Sequence, residues 1–174
     1  WVSENVPGAP SLPRQALRSV YEALGAAADF FSRKNQHQDG FHFDNAPAMY
    51  RAYEQDLFRF DQLYRQFCEA ADGAESQSLD VLKNLREKIE SAYVNWYITQ
   101  ISLAWGKFVG GGLLSKWQIP NVPGQQQFFK RNVLPRLNEA ENRKAFVIIS
   151  DAFRYETAEE LTRDLNGKYR FEAD

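Results

Sequence analysis

The sequence predicts a predominantly α-helical bundle or array followed by the opening unit of an α/β sheet. Three observations carry that prediction. Apolar residues recur at intervals of three and four through most of the first 105 residues, the period of one helix face. Glycines and prolines between 106 and 124 then break the pattern. Beyond them the run "AFVII" at 145–149 passes directly into a helix-forming stretch, "ETAEELTRDL".

Each element follows from its residues. "WVSENVPGAPSLP" is a turn-rich lead-in, and a first helix starts near Ser11, a capping residue, or Pro13, which loses no interior hydrogen bond in a first turn. Leu17, Val20, Tyr21, Leu24, Ala27, Ala28 and Phe31 lie at helical spacing and predict its buried stripe. "NQHQDGFHFDNAPAM" is a loop rich in turn formers. It holds both histidines, His37 and His42, each with a ring nitrogen to offer a metal. Neither belongs to an H-x-x-x-H pair, so both read as packing or surface residues.

From Ala48 to Ala71 the seam Tyr50, Tyr53, Leu57, Phe60, Tyr64 and Phe67 alternates intervals of three and four. Wide rings on such a seam predict a bundle core rather than a platform for stacked bases. Cys68 beside it reads as an inert buried thiol, and Gly73 as the C-cap. Ser78 is placed to cap a long third helix, with Leu79, Leu82, Leu85, Ile89, Ala92, Tyr93, Trp96, Ile98 and Trp105 on its apolar side.

"GKFVGGG" at 106–112 matches neither phosphate-loop spacing and reads as a hinge or a site of close backbone packing. Trp117 is expected to anchor the irregular segment after it to an apolar surface. Residues 125–141 are helical with a break at Pro135, which lacks an amide proton and crowds the preceding turn. The organisation this implies is a helical domain over 1–110, a linker and connecting helix over 111–144, and an α/β start over 145–174.

Composition narrows the function. With 44% hydrophobic and 25% charged residues the chain can fill a core and cover a surface. A formal charge of −2 gives no global attraction for phosphate backbones or anionic lipid. No apolar stretch reaches membrane-spanning length, and one cysteine excludes an internal disulfide and a cysteine zinc site, which suits a cytoplasmic protein. Trp1 at the start and a strand-like "KYRFEAD" at the end suggest a piece of a longer protein.

The run "AFVII" suits an interior strand, and Asp151 stands where it ends, the place at which open α/β sheets gather their sites. Its carboxylate either caps the following helix or binds a divalent cation; position alone leaves both open. The planar fork of Arg154 suits a phosphate or a carboxylate, and the plainer reading is an ion pair to Asp151, Glu156 or a residue outside the chain; Tyr155 can seat the connection in a core.

Together "VIISDAFRYETAEEL" resembles the start of the phosphatase-like domain of the PglZ family of bacterial bacteriophage-exclusion systems, through Ser150, Asp151, Ala152, Arg154, Tyr155 and Glu156. Phe153 stands where that family more often has leucine. The aromatic helices and "FFKRNVLPRL" also resemble the region upstream of that domain in the longer type A members. The resemblance implies an incomplete alkaline-phosphatase-like α/β domain after the helices. It implies that Asp151 is one ligand of a divalent metal pair (zinc, magnesium or manganese) in the complete protein, serving metal-assisted phosphoryl-ester chemistry. The nucleophile and the other ligands belong to later sequence, so no catalytic residue is assigned, no tightly bound metal is expected in this chain, and the chain alone is expected to be inactive. The alternative is a helical scaffold or interaction module that holds other proteins of the defence system. Binding of nucleic acid is left open, with Lys116, Lys130 and Arg131 the residues to which it would map.

Overall fold

A computed structural model describes residues 14–76, 80–139, 144–168 and 173. The regular structure among them is helical, and no strand is present among the described residues. Two compact units are formed, one from the chain up to Phe41 together with Arg59–Gln100, the other from His42–Phe58 together with Ile101–Asp174.

In the first unit, α1 (Arg14–Gln36) buries Ala16, Ser19, Ala23, Ala26, Ala27 and Phe30. This corrects the expected stripe, which lies one residue later in the chain; Leu17 is 42% exposed, Tyr21 67% and Leu24 43%. Two faces of this helix carry the same period, so spacing does not choose between them. Size does: the facing helices supply Phe60, Phe67 and Tyr97, all buried, and small residues let α1 come close to such rings.

The helical segment carrying the aromatic seam runs through α2 (Ala46–Ala52), a π-helical stretch (Tyr53–Leu57) and α3 (Phe58–Glu75). Asn45 starts it, its side chain accepting from the Ala48 amide at 2.9 Å, with Pro47 in the first turn. The seam is core as expected: Leu57, Phe60 and Phe67 are buried. Phe60 meets Phe30 edge-on at 5.3 Å between ring centroids and stacks on Tyr97 at 4.8 Å. Gly73 is not the C-cap. The helix continues to Glu75, and a Cβ at Gly73 would stand 3.0 Å from the Ser19 hydroxyl, so this glycine marks a close approach to α1.

The long third helix is also found, as α4 (Lys83–Ser91), a π-helical stretch (Ala92–Ile98) and α5 (Thr99–Phe108). Leu82, Ile89, Tyr93 and Tyr97 are its buried side chains. Arg86 ties it to the end of α3 through Asp72 at 2.7 Å and Glu75 at 3.1 Å. Gly40, at φ +80°, turns the chain beneath Gln100: a side chain there would meet the Gln100 carboxamide at 2.5 Å, and that oxygen accepts from the Phe41 amide at 3.3 Å. The expected start of the first helix at Ser11 or Pro13 lies outside the described residues, as do Ser78 and Leu79. Ser78 is nevertheless not the cap of the third helix, because residues 80–82 are not helical and Leu82 is the N-cap.

In the second unit a further π-helical stretch (Val109–Leu113) kinks at Gly112, whose φ of 114° is open to glycine and strained for other residues. A one-turn α6 (Leu114–Lys116) follows. Trp117 does not anchor the crossing segment: it is 68% exposed and left-handed at φ 42°. The break near Pro135 takes the form of a π-helical stretch (Phe129–Val133) running into α7 (Leu134–Glu139). An extra residue in the turn before a proline relieves its clash with the preceding carbonyl. The last helix among the described residues is α8 (Tyr155–Lys168), in the second unit.

The strand expected at 145–149 is not seen. These residues carry no regular structure, and Phe146, Ile148 and Ile149 are each close to 90% exposed or above. An interior parallel strand takes its backbone hydrogen bonds and both apolar faces from neighbours, and no neighbouring strand is present among the described residues. Most of the second expected strand, residues 169–172, lies outside the described residues, and Lys168 belongs to α8.

Candidate functional site

The motif "SDAFRYE" forms the turn into α8, and its side chains divide into two groups. Glu156 faces inward, and Tyr155 packs one side of its ring on neighbouring aromatics while staying 41% exposed. The Tyr155 ring meets Phe58 at 5.4 Å and Tyr53 at 5.9 Å, and its hydroxyl donates to the main-chain carbonyl of Glu54 at 3.2 Å. Glu54 lies in the π-helical stretch, where widened turns disturb the regular carbonyl ladder and leave room for an outside donor. Tyr155 thus fastens the connection to this helical segment at its rim; exposed to that extent, it does not enter the core that its position suggested. Burial, then the nearby carboxylates of Glu54 and Glu159, push its hydroxyl above the usual tyrosine range, and it remains a neutral donor. Tyr50 is raised in the same way, by burial first and then by Glu54.

Glu156 is wholly buried in the first turn of α8. A buried carboxylate requires a compensating charge, and the Arg154 guanidinium lies 3.7 Å away. Of the partners in reach of Arg154 in the sequence, the structure pairs it with Glu156. That pairing and the tyrosine seat make Arg154, Tyr155 and Glu156 a structural clasp at the helix start. The amides of Thr157 and Ala158 donate to the Arg154 carbonyl at 3.1 and 3.0 Å, beginning the helical ladder.

Asp151 is the outward-facing member. It is exposed, and its Oδ1 accepts from the adjacent Ala152 amide at 3.0 Å. Ala152 is left-handed at φ 57°, so the backbone turns sharply there. The carboxylate is accordingly held by its own turn, four residues ahead of the first helical residue, rather than by the first amides of α8.

No group of three or more His, Cys, Asp or Glu able to hold a metal is present among the described residues. Asp151 therefore does not make a metal site with residues of this chain that the structure describes. His37 is a packing residue, its ring 5.2 Å from Phe41 and 5.8 Å from Phe60, and His42 is exposed in the other unit. Burial pushes the Cys68 thiol up, against a thiolate role.

A buried carboxylate that sequence reasoning did not single out is Asp61, 4% exposed, which accepts from the Tyr93 hydroxyl at 2.6 Å and the Tyr97 hydroxyl at 3.3 Å. Tyr64 stacks on Tyr93 at 4.0 Å, and burial followed by the Cys68 neighbour pushes its hydroxyl up to about 12. The only sequence signal was an acidic residue next to Phe60 on an otherwise aromatic seam.

Residues 128–174 match the BREX system PglZ alkaline phosphatase-like domain. The alkaline phosphatase-like protein BrxZ of Escherichia coli O9:H4 (strain HS) is 41% identical over 157 residues, covering 90% of this chain. The alkaline phosphatase-like protein PglZ of Bacillus cereus (strain H3081.97) is 33% identical over 158 residues, covering 91%. The chain spans 18% of the length of each. No solved structure matches it significantly. With the "SDAFRYE" turn inside the matched domain and nearly the whole chain aligned to these two proteins, the chain belongs to the PglZ family of alkaline-phosphatase-like proteins.

Proposed function

We propose that this chain is the part of a PglZ-type phage-defence protein in which a helical region leads into an alkaline-phosphatase-like domain, and that the complete protein is a metal-dependent phosphoryl-ester hydrolase acting in the cytoplasm. In this reading residues 145–149 form the first strand of that domain once its sheet is complete, and Asp151 is one ligand of a divalent metal site. The observation that carries it is the exposed Asp151 carboxylate, on a sharp turn within the matched residues 128–174. One carboxylate does not hold a metal, and no cluster among the described residues completes the set. In this reading the remaining ligands and the nucleophile come from the rest of the complete protein. A divalent pair would supply Lewis-acid stabilisation of the phosphoryl oxygens. This chain's part is to fix one carboxylate on a turn clasped by Arg154, Tyr155 and Glu156.

The test uses the longer protein with p-nitrophenyl phosphate and its bis ester, in zinc, magnesium or manganese. Asp151→Ala should lower metal-dependent turnover roughly 100-fold or more, the order lost when one transition-state-stabilising group is removed. The 174-residue chain alone should be inactive. Metal-dependent turnover by that chain, abolished by Asp151→Ala, would overturn the shared-site reading.

A second reading, a scaffold for other proteins of the defence system, is favoured by α1, which leaves Leu17, Tyr21 and Leu24 on its exposed face. Phage restriction in cells separates the two. Asp151→Ala abolishes protection if the protein acts as a hydrolase and leaves it intact if it acts as a scaffold.

A further inference from the structure

Residues 101–138 differ in charge from the rest of the chain. They hold Lys107, Lys116, Lys130, Arg131 and Arg136 and no carboxylate, whereas the other 136 residues hold all 23 acidic side chains against sixteen basic ones. The overall charge of −2 thus conceals a cationic segment. It lies wholly in the second unit, and all five cations are on exposed residues.

Exposed rings are interleaved with these cations along the sequence. Trp117 is 68% exposed, Phe129 59% and Phe128 49%. The Trp117 backbone is left-handed, at φ 42° and ψ 46°, which bulky residues seldom adopt. Beside it lies a groove of about 560 Å³ whose lining includes Trp105, Trp117 and Lys116, the glutamines at 118 and 125–127, and apolar residues such as Ile119 and Val122. Asn121, also left-handed at φ 65°, lies in the loop that bounds this groove.

We infer that this face binds a single strand of nucleic acid. Bases stack on Trp117, the phosphates lie along Lys116, Lys130 and Arg131, and the glutamine carboxamides of the groove meet base edges. The combination is specific in chemistry: cations alone attract any polyanion, and rings alone suit any apolar partner, but an unpaired strand offers an open base face and a phosphate at every nucleotide. A duplex hides its base faces in the stack, so the rings favour the single strand. Trp117, expected to anchor its segment to an apolar surface, is open to solvent together with Phe128 and Phe129.

Fluorescence anisotropy of a labelled oligothymidylate of about twenty nucleotides, long enough for such a site, tests the inference on the 174-residue chain. Three phosphate contacts predict a slope of log K against log salt near −2, about 0.7 for each contact. Trp117→Gly removes the ring while suiting the left-handed backbone, and should weaken binding roughly 5- to 100-fold; Trp117→Phe should restore most of it. Lys116→Ala should reduce the slope by about 0.7, and the triple variant Lys116→Glu, Lys130→Glu, Arg131→Glu should abolish salt-sensitive binding. Circular dichroism checks that each variant keeps its helices. The inference is overturned by any of three results: no binding at about 50 mM salt; equal affinity for single strand, duplex and heparin with no effect of Trp117→Gly; or binding confined to vesicles of anionic lipid, which would make the face a membrane contact.

Discussion

Asp61 shows how a single residue organises a core whose other members are rings. Its carboxylate is 4% exposed and accepts from two tyrosine hydroxyls, one of them at 2.6 Å, a short charge-assisted bond. Tyr93 and Tyr97 reach it together because they are four residues apart, about one turn, and so share a helix face. Tyr93→Phe keeps the ring and its stacking on Tyr64 but removes the donor from a buried carboxylate. A loss of about 1.5–3 kcal/mol is expected from urea unfolding, the range for hydrogen bonds to charged groups. An unchanged midpoint would mean that Asp61 is served as well by its other contacts. Seam position alone did not mark Asp61, since reading it as buried requires knowing which tyrosines lie opposite. Glu156 was legible as a motif residue, yet its burial was not, because the first turn of a helix is ordinarily solvated.

At the scale of elements, the helices were legible and their faces only partly so. The seam Leu57, Phe60 and Phe67 was readable because large rings at one period admit one buried side. On α1 the larger residues pointed to the wrong side, since close packing against wide rings favours small ones. Gly73 belongs to the same effect: it was read as a terminator, but it lets α3 approach Ser19. Gly73→Leu is therefore expected to cost about 1–3 kcal/mol by overpacking. Gly73→Ala in a Ser19→Ala background should recover up to about 1 kcal/mol of helix propensity, because the hydroxyl 3.0 Å from the new Cβ is then gone. Thermal melts of the four variants of this cycle check the coupling; strict additivity would show that the two residues do not meet.

For the whole molecule, the apolar run 145–149 is the part most dependent on what surrounds it. Phe146 is 93% exposed and Ile148 92% in a chain that spans 18% of its curated relatives. Exposed β-rich segments of this kind are pairing and aggregation hazards unless covered. Hydrogen exchange should show amides 145–149 exchanging fast in the 174-residue chain and strongly protected in the longer protein, where neighbouring strands can supply the ladder. Equal, fast exchange in both would remove the first strand from the proposed phosphatase-like domain and Asp151 from its strand end.

By itself the sequence determined the helical character, the aromatic seam, the family motif and the absence of a cysteine-based metal site, because period, residue type and count are local properties of a chain. Only the tertiary structure decided that α1 buries its small residues, that Arg154, Tyr155 and Glu156 form a clasp while Asp151 faces outward, and that Trp117 stands in solvent. Those outcomes depend on the size and charge of what lies opposite each side chain, which no single stretch of sequence contains.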